Sequence, residues 1–317
     1  MALAVAPVRS TRVPRRAAAR GAAGTGSAGR RSLSNNLKSY ALIAPALLCF
    51  ALFSWYPTVK VFFLAFEKTS FSVRGNHFGG LVNYRTLMAD PQFWPAWRNT
   101  FAFTGIALVI GFGLPFFVAV LLNELRHMKQ AFRIVIYLPV MIPPVVTDLL
   151  WKWFYTQPSG LFDQALGAAH LPQSGWYQSS QVALISIVLV TTWANMGGTV
   201  LIYLAALQNI PGHLYEAAEL DGANLWQRFR HVTVSQTRFV LLMLMLFQII
   251  ATMQEFNEVN VITGGGPGDS TITVLYLIYK YFDQYYNYGG ACLLSAMLVV
   301  FLGIFSAGFL RLTRSHV

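Results

Sequence analysis

Six long stretches of this chain carry almost no charge, and they constrain its fold more than any other feature. From Thr100 to Leu122 there is no Asp, Glu, Lys or Arg, and from Tyr40 to Phe66 there is one, Lys60. A helix needs about 20 mainly apolar residues to cross the hydrocarbon of a bilayer. The runs Tyr40–Phe66, Thr100–Leu122, Phe132–Tyr155, Val182–Leu207, Phe239–Phe256 and Gly289–Leu310 therefore predict six crossings. Backbone groups facing lipid must bond within their own segment. The expected architecture is an all-α, polytopic membrane helical bundle.

Composition excludes the soluble alternatives. Of 317 residues, 55% are hydrophobic and 11% charged, which leaves too little polar surface for a water-soluble domain. The net charge of +11 raises the question of nucleic acid. Its cations sit in tails and short loops between apolar runs, where a bilayer accounts for them, and no nucleic-acid partner is expected. Sixteen of the 23 lie on the side shared by the termini and six on the other, with Lys60 inside the first run. The excess places both termini in the cytoplasm.

Residues 1–38 hold eight Lys or Arg and no acid. Such a segment cannot bury enough apolar surface to fold. It reads as a disordered basic cytoplasmic tail at the membrane surface, with an organelle transit peptide as the other reading. Residues 39–317 form the transmembrane domain, with a core of about 96–312.

Several runs contain helix breakers: Pro139, Pro143 and Pro144 in the third, Gly197 and Gly198 in the fourth. The outer connection from Asn257 to Tyr288 ends in an aromatic segment expected at the membrane interface. Cys49 and Cys292 lie within apolar runs and read as small buried residues, neither disulfide-bonded nor metal-binding.

No catalytic constellation is present. The run Gly264-Gly265-Gly266-Pro267-Gly268 is followed by Asp269, whereas a phosphate-cradling loop needs a Lys there. The six histidines are scattered, with no metal-ligand spacing. The chain reads as no enzyme, with no metal site and no cofactor of its own.

The polar interruption within residues 208–237 is different in kind. Pro211 suits a helix start, and Leu214, Ala217 and Ala218 share one small apolar face. Gly222 ends that helix by taking positive φ. Asn224 and Gln227 have capping-box spacing for a second helix, which carries Trp226 and Phe229. A helix of about 8–10 residues is marginal alone. This one is either a knob that docks on a cytoplasmic partner or an ordinary hairpin with interfacial helices.

Polar residues inside apolar runs mark a solute path by default. The candidates are Trp193 and Asn195 in the fourth run, with Gln254, Glu255, Asn257 and Glu258 at the end of the fifth. Aromatic faces with amide and carboxylate acceptors suit a polyhydroxylated ligand. Glu255 and Glu258 also fit a solvated helix end at the outer boundary, and Asp148 reads as a structural partner for a neighbouring helix.

The stretch Glu216-Ala217-Ala218-x-x-Asp221-Gly222-Ala223, with Trp226-x-x-Phe229, resembles the EAA loop of permease subunits in binding-protein-dependent ABC importers. Other stretches are similar to the sugar-permease branch: Leu81-Val82-Asn83-Tyr84-Arg85, Leu138-Pro139 with Pro144-Val145-Val146, Trp151-x-Trp153, and Thr263-Gly264-Gly265-Gly266-Pro267. The resemblance covers roughly residues 40–312. It departs at Val234-Ser235, where the family usually has Leu-Pro, and at Asn257, where Asp is frequent.

The resemblance implies a type I permease fold in the bacterial inner membrane. Two different permease subunits would form the path, with an extracytoplasmic solute-binding protein outside and two ATP-binding cassette subunits inside. ATP and Mg would be bound by those partners, and residues 216–223 would form the coupling helix. The implied cargo is a sugar or oligosaccharide, with a glycerol-phosphate-type solute as its nearest alternative. The rival from another class is a gradient-driven secondary transporter, which calls for internal repeats and intramembrane carboxylates.

Overall fold

The computed structural model describes residues 40–68, 77–125 and 127–314; the basic stretch 1–38 lies outside them. The chain divides into two units, one ending at Thr58 and one beginning at Val59. Helix α1, Tyr40–Leu64, starts in the first. From Tyr40 to Thr58 it holds no charged residue, and nearly all its side chains are exposed. Cys49 is among them, so it is not the buried residue expected.

In the second unit a two-residue hairpin pairs β1, Glu67–Lys68, with β2, His77–Phe78. The helices that follow are α2 (Val82–Ala89), α3 (Phe93–Glu124), α4 (Lys129–Met141), α5 (Pro144–Phe154), α6 (Leu161–Ala168) and α7 (Ala183–Gln208). After them come α8 (Gly212–Leu220), α9 (Leu225–Met253), α10 (Val274–Tyr279) and α11 (Tyr288–Arg314).

Five helices, α1, α3, α7, α9 and α11, are each long and apolar enough to cross a membrane. In place of the third predicted crossing stands a bent pair of helices, long and apolar enough only when taken together. α4 and α5 meet at 97°, because Ile142 and Pro143 are extended. Proline offers no N–H to the helix and disfavours the helical conformation of the residue before it. The expected break in the fourth run does not occur. α7 runs unbroken through Gly197, where a Cβ would stand 2.5 Å from the Ile136 carbonyl oxygen. The missing side chain lets α7 lie directly on the end of α4, the close approach that small residues permit between membrane helices.

α7 is the central element. With α3, α9, α10 and α11 it encloses a core containing Phe103, Ile187, Met253, Leu277 and Leu294. Further along the same helices, Ala119, Leu122, Val200, Tyr203 and Leu207 form a second core. Val109 is 76% exposed and Ile304 71%. A soluble fold would hide such side chains, but lipid imposes no penalty on them.

Of the aromatic segment expected at the interface, Phe282, Tyr285 and Tyr286 are exposed. Tyr276, Leu277 and Tyr281 are buried, and a set of hydrogen bonds ties the segment to the start of α3. Asn99 donates to the carbonyls of Asp269 (2.8 Å) and Ile272 (3.1 Å), and Thr100 Oγ1 accepts from the Val274 N–H at 2.9 Å. Tyr281 donates to Asp90 Oδ2 at 2.6 Å, and Lys280 to Gln92 Oε1 at 2.7 Å. Buried backbone groups must be satisfied internally, which pins this loop in place.

Candidate functional site

α9 ends at Met253, and the chain turns through Gln254, Glu255 and Phe256 before a π turn at Val259–Thr263. Thr273 Oγ1 donates to the Glu255 carbonyl at 2.8 Å, so the pinned outer loop also fixes this turn. The turn faces the bend between α4 and α5 across a cavity of about 480 Å³. Asp148, Asn195, Gln254, Glu255, Asn257 and Glu258 line it, with Pro139, Ile142 and Pro144.

Five of the six candidate path residues therefore share one cavity, and Asp148 joins them. Asp148 is 1% exposed and Glu258 8%, so Glu258 does not sit at a solvated helix end; Glu255 is half-buried. Among the described residues Asp148 Oδ2 has no hydrogen-bond partner, and it does not serve the neighbouring helix as expected. Asn195 and Gln254 each donate to the carbonyl four residues back in their own helices, Thr191 at 2.9 Å and Ile250 at 3.0 Å. Among the described residues no Lys, Arg or His lines the cavity.

Below it a second, smaller chamber of about 250 Å³ opens between α3, α7 and α9. Asn195 and Glu255 line both and mark the junction. The walls are Thr191, Thr192 and Thr199 of α7 and Gln248 and Thr252 of α9. α3 meets them at Gly111, inside a π-helical stretch, Leu108–Phe112. Such bulges recur at functional sites. A Cβ on Gly111 would stand 3.0 Å from Gln248 Nε2 and 3.1 Å from Thr192 Oγ1. The glycine thus keeps the chamber open.

Trp193 stands apart from this group. Two residues along a helix turn the side chain to another face, and it lines a separate apolar cavity with Trp151, Tyr155, Phe162 and Trp176. Its ring packs edge-on to Trp151 at 5.5 Å, and Trp176 is held by a 2.8 Å bond from Nε1 to Asp163. Stacking and hydrogen bonding, expected on one ligand, belong here to two different cavities.

At the other end of α9, the 208–237 loop folds as a compact projection. α8 stops at Leu220, and Gly222 takes φ +75°, a conformation that costs a residue with a Cβ about 1–2 kcal/mol. Asn224 and Gln227 exchange both bonds of a capping box. A π-helical stretch, Phe229–Thr233, then leads without a break into the rest of α9, so Val234-Ser235 does not interrupt it. Tyr215 bonds Thr233 at 3.0 Å and Glu219 pairs with Arg228 at 3.3 Å, tying α8 to the foot of α9. Glu216, Ala217 and Asp221 are exposed, Ala218 and Ala223 half-buried. Leu220, Leu225 and Trp226 are 89%, 78% and 65% exposed. Sequence reasoning passed over the two leucines, whose place on either side of Gly222 was the available signal.

Comparison with known proteins places this geometry in context. A family model described as binding-protein-dependent transport system inner membrane component matches residues 111–314. The chain is 36% identical over 251 residues to the probable ABC transporter permease protein YurN of Bacillus subtilis, across 78% of this chain and 85% of that one. It is 28% identical over 277 residues to the trehalose/maltose transport system permease protein MalF of Thermococcus litoralis, across 87% and 93%. Its fold is similar to a chain in a bacterial alginate ABC transporter solved with an alginate pentasaccharide-bound periplasmic protein. That likeness has a TM-score of 0.80 at 21% identity and covers 90% of this chain and 96% of the other.

Proposed function

The chain belongs to the binding-protein-dependent transport system inner membrane components, and from that premise we propose that it is one permease subunit of an ATP-driven ABC importer for sugars or oligosaccharides. The observation that carries this reading is the pair of polar chambers joined at Asn195 and Glu255, a route lined by acceptors and hydroxyls along the central helix. A polyhydroxylated solute offers donors to such walls, and the surrounding apolar bundle keeps competing water few. Relatives named for trehalose/maltose and for arabinooligosaccharides support the cargo class. A glycerol-phosphate-type solute fits poorly, because an anion would meet carboxylates and no cation.

The energy comes from elsewhere in this reading. Two ATP-binding cassette subunits, holding ATP and Mg, dock on the projection formed by Glu216, Ala217, Ala218, Asp221, Gly222 and Ala223. Exposed Leu220, Leu225 and Trp226 supply the apolar anchor that such an interface needs. Because α9 is continuous from this foot to Met253, displacement of α8 moves Gln248, Thr252 and the Glu255 turn together. A rigid element shared by two sites is how nucleotide state biases an inward–outward equilibrium. The complex is completed by a second permease and an extracytoplasmic solute-binding protein, in the bacterial inner membrane with both termini cytoplasmic.

One observation favours a second reading. Three intramembrane carboxylates facing one cavity are what a gradient-driven transporter requires. Tagging this chain and purifying it from its native membrane separates the two. An ATPase and a second permease that co-purify with it establish the importer; a lone chain that accumulates solute in liposomes under an ion gradient establishes the other. Asn257→Ala with Glu258→Ala lowers uptake while leaving that co-purification intact if the cavity is the path.

A further inference from the structure

The upper chamber has an electrostatic peculiarity that a sugar path alone does not explain. Asp148, Glu255 and Glu258 come from two distant parts of the chain and converge on one cavity. None of the three has a Lys, Arg or His within 4 Å among the described residues. The nearest cation along α5, Lys152, donates to the Val261 carbonyl at 2.8 Å and does not line the cavity. Asp148 lines the cavity, and among the described residues its buried Oδ2 has no hydrogen-bond partner. A buried carboxylate left in this state is costly, and three together repel one another.

A proton on one carboxyl relieves part of that cost, and a metal ion or an organic cation relieves more. Among the described residues no group of three or more His, Cys, Asp or Glu side chains is placed to hold a metal. The cavity, about 480 Å³, lies in the size range of small-molecule sites. Of its other polar groups, Thr147, Asn195, Gln254 and Asn257, Asn195 and Gln254 have amide donors turned back to their own helices. The wall therefore presents three carboxyl groups, with the Asn257 amide and the Thr147 hydroxyl beside them, to a site as large as a small organic molecule.

We propose that the chamber lined by Asp148, Glu255 and Glu258 selects a cargo bearing a protonated amine beside hydroxyls, the chemistry of an amino sugar. The ammonium sits among the three carboxylates and donates to Asp148 Oδ2, while the hydroxyls donate to the other acceptors. This rests on the importer reading and sharpens its substrate class. A neutral sugar fills the same space but leaves the carboxylates uncompensated.

The test uses the whole importer, co-purified through a tag on this chain with its solute-binding protein and sealed into liposomes containing ATP. Uptake of a radiolabelled glucosamine disaccharide is compared with that of cellobiose at mildly acidic pH. One unit charge about 4 Å from a carboxylate in a protein-like medium is worth enough for a preference of about tenfold or more. Glu255→Gln and Glu258→Gln, each checked for intact co-purification, should bring that ratio close to one. Cellobiose entering as fast as the amine, neither sugar entering while ATP is hydrolysed, or a ratio unchanged in both glutamine variants would each overturn the proposal. The last outcome would mean that the carboxyls are already neutral, since glutamine mimics that form. Absence of any co-purifying ATPase and of ATP-dependent uptake would instead remove the importer reading itself, and the proposal with it.

Discussion

Gly111 of α3 faces Gln248 of α9 so closely that a Cβ on the glycine would lie 3.0 Å from the amide nitrogen. The contact sits at a π-helical stretch, where α3 carries an extra residue and its turn widens. Both features serve the lower chamber, which would otherwise be filled.

Gly111→Val is therefore expected to close that chamber. Overpacking of this kind costs about 1–3 kcal/mol, absorbed mainly by displacement of Gln248 and Thr192. Uptake per assembled complex should fall about tenfold, with co-purification of partners close to wild type. Normal uptake at normal assembly would mean that the solute does not pass between α3 and α9.

Gly197 tests packing rather than passage. A Cβ there meets the Ile136 carbonyl and the Tyr137 backbone within 3 Å, and backbone has little room to move. Gly197→Ala should lower the thermal stability of the purified complex by an amount equivalent to about 1–3 kcal/mol. Gly198, one residue on, has nothing within 4 Å, and Gly198→Ala should change little.

The outer loop supplies a pH prediction. Burial and then the Asp90 carboxylate raise the Tyr281 phenol above its ordinary value. A proton held more tightly in the folded chain adds stability that is complete below the unfolded value of about 10. That stability is lost as pH rises through the higher folded value. Melting curves taken upwards from about pH 8 should fall more steeply past pH 10 for wild type than for Tyr281→Phe. At neutral pH the same variant should lose about 1.5–3 kcal/mol through the broken bond to a charged group. Parallel curves for the two proteins would contradict this role.

Much of the fold was legible because it is local. Charge-free length marks the crossings, and the loop chemistry of Gly222, Asn224 and Gln227 specifies a turn and a capping box without reference to anything distant. The third run was legible only in part. Pro143 and Pro144 announce a break, but the 97° between α4 and α5 depends on what packs around them. Gly197 and Gly198 look like breakers in sequence, yet a glycine in a membrane helix serves equally as a flat contact face.

The site was less legible for the same reason. Trp193 and Asn195 stand two residues apart in the chain but line different cavities. Asp148 joins Glu258 only because the bend swings α5 towards the end of α9. The lower chamber left a signal that went unread. Thr191, Asn195 and Thr199 recur at i, i+4 and i+8 in a largely apolar helix, and Gln248, Thr252 and Glu255 at i, i+4 and i+7. Those spacings put each set on one helical face.

The central claim is that motion of the 216–223 projection drives opening of the chambers. The direct measurement is solute taken up per ATP hydrolysed by the reconstituted complex carrying Gly222→Pro. Proline fixes φ near −65°, whereas this residue takes +75°, so the projection cannot keep its shape. The account predicts that ATP is still hydrolysed while uptake per ATP falls about tenfold or more, a loss on the scale of disturbed coupling between sites. An unchanged ratio would contradict it, and would place the mechanical link somewhere other than the foot of α9.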